Sequence, residues 1–122
     1  MKVLVDTSIW IDHLRKADSR LATLLLERQV LCHPLVIGEL ACRGLRNRHE
    51  FLGNLKRLPL ASLPKDAEVL ELIEAKRLHG RGLGIVDIQL LSSALLSGAK
   101  IMSHDLAVKK AAEKLGVAVS EA

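Results

Sequence analysis

Short apolar runs alternate along this chain with segments of helical period, and that alternation limits the fold more than any other feature. Lys2 to Val5, Gln29 to Cys32, Ala99 to Met102 and Val117 to Val119 are too short for helices and have the makeup of buried strands. Between them lie helical patterns. Thr7-Ser8 offers an N-cap for a helix through Leu14, Asp18-Ser19 caps a second to about Arg28, and Pro34 suits the first turn of a third running to about Arg46. A shorter helix spans about His49 to Leu58, and Pro59 and Pro64 bracket a connection. Lys65 to His79 is helical with Gly80 as its cap; Asp87 to Leu96 reads as a buried helix stopped by Gly98; His104 to Leu115 ends at Gly116. Parallel strands need crossovers, so strands separated by helices predict an α/β fold with a mainly parallel central sheet. In such sheets the carboxyl ends of the strands form the usual site crevice, and Asp6 falls at one of those ends.

With 122 residues, 49% hydrophobic and 26% charged, the chain is expected to form a single domain over 1–122 with its own core. Cys32 and Cys42 sit in apolar stretches and form no metal-type spacing, which fits a reducing compartment. The apolar run at the start is too short for a signal peptide, and no segment approaches the ~20 apolar residues of a membrane span, so a cytoplasmic protein is expected. The net charge of +4 suits an anionic partner, and Trp10 and Phe51, the only aromatics, are too few for a platform of stacked bases. An RNA partner would be handled through its phosphates.

Four acids stand apart from other charges. Asp6 is the sole charge from Val3 to Ile11, Glu39 is alone from Leu31 to Cys42 with histidines neutral, Asp87 is alone from Gly82 to Ala99, and Asp105 follows the strand candidate ending at Met102. An isolated carboxylate in an apolar setting needs a hydrogen bond, a counter-charge or a metal. Simple structural roles exist for each: Asp6 or Asp87 as a helix cap, Glu39 paired with Arg43 four residues on, Asp105 exposed in a first helical turn. Their coincidence at strand ends and helix starts points instead to one crevice. Carboxylates gathered there repel, and Mg²⁺ or Mn²⁺ would remove the repulsion while keeping waters for phosphodiester chemistry. Arg81, in the glycine-rich approach to Asp87, and Arg43, with Arg46 and Arg48, could touch RNA phosphates or simply face solvent. His104-Asp105 has the form of the dyad in HD phosphohydrolases, an all-helical family that the apolar strands argue against.

The segments VLVDTSIWIDHLR, CHPLVIGELACRGL, HGRGLGIVDIQLLSSALLSGAK and SHDLAV occur in that order. Together they resemble the PIN domain, and among PIN proteins the VapC toxins of toxin–antitoxin pairs. The last segment departs from the family, which often has Thr or Asn and a further acid near its final Asp. The resemblance implies an α/β/α sandwich, endonucleolytic cleavage of RNA dependent on Mg²⁺ or Mn²⁺, a homodimer, and inhibition by a VapB-type antitoxin. It also implies that Asp6, Glu39, Asp87 and Asp105 form the metal-binding acid set, with Ser8 at a position where the family often has a hydroxyl.

Overall fold

The computed structural model describes residues 1–120. Three short strands, β1 (Val3–Val5), β2 (Val30–Leu31) and β3 (Lys100–Met102), form a parallel sheet in the order β2-β1-β3. Among the described residues seven helices accompany it: α1 (Thr7–Arg15), α2 (Ser19–Leu26), α3 (Pro34–Ala41), α4 (Arg48–Lys56), α5 (Asp66–Lys76), α6 (Ile85–Ser97) and α7 (Leu106–Leu115). Helix α3 packs on α1 and α4, while α6 packs on α5, α7 and the strands β1 and β3, giving the α/β/α sandwich. Val3, Leu4 and Val5 are fully buried, as a central parallel strand covered on both faces requires.

From β1 the chain crosses to β2 on one side and later returns to β3 on the other, so the topology reverses at β1. The β1–β3 pairing runs from Val3↔Lys100 to Val5↔Met102, and Asp6 N–H extends it by donating to Met102 O at 2.9 Å. This ladder brings Asp6 beside Ser103. Single parallel bridges widen the sheet at each edge, Cys32↔Leu60 and Ile101↔Ala118. The strand expected at Val117 to Val119 is thus reduced to one bridge directly after the α7 cap at Gly116. The segment between the two prolines, expected as a plain connection, contributes the other.

Two helix ends differ from expectation. Helix α3 stops at Ala41 rather than near Arg46, because the Arg48 guanidinium turns back onto Ala41 O with Nε at 3.1 Å and Nη2 at 2.8 Å. Helix α5 ends at Lys76, and its C-terminal cap is Arg77, left-handed at φ 51°, rather than Gly80, which is left-handed three residues further on. Leu78 N–H donates to Ile73 O and Arg77 N–H to Glu74 O, a Schellman pattern that buries Leu78. Burying that leucine side chain is worth about 1.5–3 kcal/mol, which outweighs the roughly 1–2 kcal/mol cost of a left-handed arginine.

His33, 2% exposed, caps α3. Its Nδ1 accepts from Leu35 N–H at 3.0 Å, so Nε2 carries the proton and faces Ser93 Oγ at 3.0 Å. Burial lowers its pKa from the ordinary 6.5. The unfolded chain therefore takes up a proton at this residue before the folded one does. Stability should be full above pH 6.5 and fall as pH drops from there through the lowered value. Thermal melts across that window should show this loss in the wild type and a shallower slope in His33→Asn, which retains a capping oxygen. Parallel slopes would remove His33 as the cause.

Candidate active site

Asp6 is the buried floor of the candidate site, 7% exposed, and is itself the N-cap of α1, the simple structural role open to it, rather than Thr7-Ser8. Its Oδ1 accepts from Thr7 N–H at 2.8 Å, and its Oδ2 accepts from Ser103 Oγ at 2.7 Å and Ser8 Oγ at 3.0 Å. The two serines also accept from the loop leading into α7: His104 N–H donates to Ser8 Oγ and Asp105 N–H to Ser103 Oγ, each at 3.0 Å. Asp6 thereby ties the ends of β1 and β3 to the start of α7.

The other acids are more open. Asp105 is the exposed N-cap of α7 and accepts from Val108 N–H through Oδ1. Asp87 is half-buried in the first turn of α6, with Oδ2 accepting from Gly84 N–H at 2.8 Å. Burial pushes the Asp87 carboxyl above the usual carboxylate range; the Gly84 hydrogen bond opposes that shift, and the negative charges of Asp105 and Asp6 add to it. Three of the four expected acids therefore share one field.

Glu39 joins them through Thr7, whose Oγ1 donates to Glu39 Oε1 at 2.7 Å while its backbone N–H holds Asp6. That bond takes the place of the Glu39–Arg43 pair, the simple structural role open to this acid. Among the described residues the only close approach of a basic side chain to a carboxylate is His104 Nε2–Asp12 Oδ2 at 3.3 Å, which directs the His104 ring to α1 and away from a dyad with Asp105. Each of Glu39, Asp87 and Asp105 keeps one carboxylate oxygen without a protein partner among the described residues.

Arg43, beyond the end of α3, is exposed and lines a groove with Arg15 and Arg46. Arg81 is exposed too, its Nε donating to Arg77 O at 2.7 Å. Neither arginine makes an ion pair with the four acids. Sequence reasoning overlooked Ser103 and the part played by Thr7. The available signal for Ser103 was a hydroxyl at the carboxyl end of a strand next to the strand ending at Asp6.

Among the described residues no three Asp, Glu, His or Cys side chains converge tightly enough to enclose an ion alone. The donors at this end of the sheet are carboxylate oxygens, hard ligands, with Asp105 and Asp6 near enough for their charges to act on Asp87. This set fits Mg²⁺ or Mn²⁺, which bind through one or two carboxylates and retain waters.

The PIN-domain family model matches residues 3–114. The chain belongs to the PIN-domain family. It is 46% identical over 123 aligned residues to Ribonuclease VapC32 of Mycobacterium tuberculosis strain CDC 1551 / Oshkosh, covering 98% of this chain and 97% of that protein. The same figures hold for Ribonuclease VapC32 of strain ATCC 25618 / H37Rv. The crystal structure of PAE2754 from Pyrobaculum aerophilum superposes with a TM-score of 0.57 at 17% identity, over 90% of this chain and 78% of that one, and supports the fold alone. No described helix of this PIN domain is long and apolar enough to cross a membrane.

Proposed function

We propose that this PIN domain is an Mg²⁺- or Mn²⁺-dependent endoribonuclease, the toxin of a toxin–antitoxin pair, with Asp6, Glu39, Asp87 and Asp105 as its metal-binding and catalytic acids. The observation that carries the reading is the mutual field of Asp6, Asp87 and Asp105 at the point where the sheet topology reverses. The identity to VapC32 ribonucleases supports RNA as the substrate class.

A divalent ion held by these acids supplies positive charge to the phosphodiester and makes water more acidic. The chain's own part is to place ligands and guide substrate. Ser8 and Ser103 hold Asp6 in one rotamer, and Thr7 turns Glu39 toward the same face. Asp105, exposed and with Oδ2 free of protein partners, can accept a proton from an attacking water. Arg43 and Arg81, both exposed, meet the phosphate backbone, their guanidinium groups matching phosphate oxygens. In this reading a VapB-type antitoxin covers the acids, and the active form is a homodimer.

A second reading, a non-catalytic module whose acids are helix caps, has support of its own. Asp6, Asp87 and Asp105 each accept a backbone N–H at a helix start. Cleavage separates the two. With Mn²⁺ the purified protein should cut end-labelled RNA internally, a chelator should stop it, and an equimolar antitoxin from an adjoining reading frame should stop it as well. Absence of cleavage by folded protein with either metal, across structured and unstructured RNAs, rejects the nuclease. Cleavage that survives chelation rejects the metal, and cleavage that survives the antitoxin rejects the toxin role.

A further inference from the structure

Away from the acids, positive charge collects where three elements meet at the C-terminal end of α5. Lys114 of α7 donates through Nζ to Lys76 O, and Arg81 donates through Nε to Arg77 O. The left-handed turn at Arg77 ends the helix there and leaves both carbonyls available. None of Lys76, Arg77, Arg81 or Lys114 has an acid within ion-pair distance among the described residues. Desolvation, then the positive charges of Arg81, Arg77 and Lys76, lower the Lys114 pKa. Carbonyls at a helix end attract one or two cations; four cations without a counter-ion are more than capping needs.

The cluster is continuous with the acid site by two routes. The 80–84 loop carries Arg81 and ends at Gly84, whose N–H holds Asp87; midway, a Cβ at Gly82 would lie 3.8 Å from Ala107 Cβ in the first turn of α7. Ala107, Lys110 and Lys114 are spaced three and seven residues apart, one face of α7. From Ala107, beside the 80–84 loop, to Lys114 that face extends about 10 Å at 1.5 Å per residue, long enough to follow RNA beyond the cleaved bond.

We propose that Lys76, Arg77, Arg81, Lys110 and Lys114 form a phosphate-binding track for single-stranded RNA, running from the acids along α7 to the end of α5. The proposal rests on the nuclease reading for its ligand. RNA is favoured over an acidic protein segment because the cations follow one face of α7 that starts beside the loop leading to Asp87.

Anisotropy titrations of metal-free protein with a labelled single-stranded RNA, repeated over a range of salt, test it. Each phosphate contact adds about 0.7 to the log–log salt slope, so Lys110→Gln with Lys114→Gln should lower the slope by about 1.4. KM for long RNA should rise in the same variant, and Lys114→Arg should restore its share of the slope. If the Lys114→Gln protein does not fold, Lys110→Gln alone carries the test, since Lys110 makes no side-chain hydrogen bond among the described residues. A lower melting temperature with an unchanged slope would show that Lys114 only caps α5 and overturns the track. An unchanged slope with lost binding to polyglutamate would assign the cations to an acidic protein and also overturns it. In either case cleavage by the wild type leaves the nuclease reading standing, whereas wild-type protein that neither binds nor cuts RNA overturns both.

Discussion

Asp6→Asn should reduce RNA cleavage at least a thousandfold while leaving a folded protein. The amide keeps the size of the carboxylate, so α1 can still be capped through Thr7 N–H. What it loses is the charge that draws a divalent ion to the floor of the site. Metal-held charge stabilises a phosphodiester transition state by several kcal/mol, and about 4 kcal/mol corresponds to about a thousandfold in rate. The substitution also has a structural cost. Ser8 and Ser103 each accept a backbone N–H and pass their own hydroxyl hydrogen to Asp6 Oδ2. An amide nitrogen at that position makes both hydroxyls turn away, at about 1 kcal/mol for a hydrogen bond so disturbed. The metal-free variant should therefore melt below the wild type, the reverse of what carboxylate crowding alone would suggest for Asp6. Single-turnover cleavage in Mn²⁺, with circular dichroism to confirm folding, measures both effects. A rate near that of the wild type would remove Asp6 from the mechanism.

The parts of the fold readable in the sequence are those set by local chemistry. Val3 to Val5 is a strand because branched apolar side chains fill a sheet covered on both faces, Lys100 to Met102 is one that buries Ile101 and Met102 beside it, and α6 and α7 stop at Gly98 and Gly116, both in the left-handed region. The unread parts depend on distant groups. No local signal ends α3 at Ala41, since the guanidinium of Arg48 supplies the cap from seven residues on. Arg77 took the capping position expected of Gly80 because burying Leu78 mattered more than a residue's own preference. In the candidate site, isolation from other charges singled out four acids as candidates, yet Glu39 has Thr7 as its partner and not the nearby Arg43, a contact between two helices that spacing within one helix cannot reveal. Ser103 became visible only once β3 was paired with β1.

Asp87→Asn should raise the melting temperature of the metal-free protein at neutral pH, and Mg²⁺ or Mn²⁺ should raise that of the wild type much more than that of the variant. The sign follows from the direction of the Asp87 shift. Its folded-state pKa lies above the ordinary carboxylate value, so it helps the fold only in its protonated form: that contribution is present below the unfolded pKa and is lost as pH rises through the folded one. At neutral pH the ionised group is a burden, set by burial and by the charges of Asp105 and Asp6. Asparagine is neutral at every pH, and its oxygen can still accept from Gly84 N–H. Wild type and variant should therefore converge in melting temperature as pH falls below the usual carboxylate range. An ion that binds only the folded form stabilises by RT ln(1 + [L]/Kd), about 2.7 kcal/mol at a hundredfold excess over Kd. For a chain of this length that is on the order of 10 °C. If the acids serve only as helix caps, removing the Asp87 charge from the start of α6 should lower the metal-free melting temperature, and neither ion should move the wild type. Melts of both proteins, in chelator and in each metal, thus give opposite signs under the two readings, and a destabilised Asp87→Asn beside a wild type indifferent to metal would end the case for a metal site among these acids.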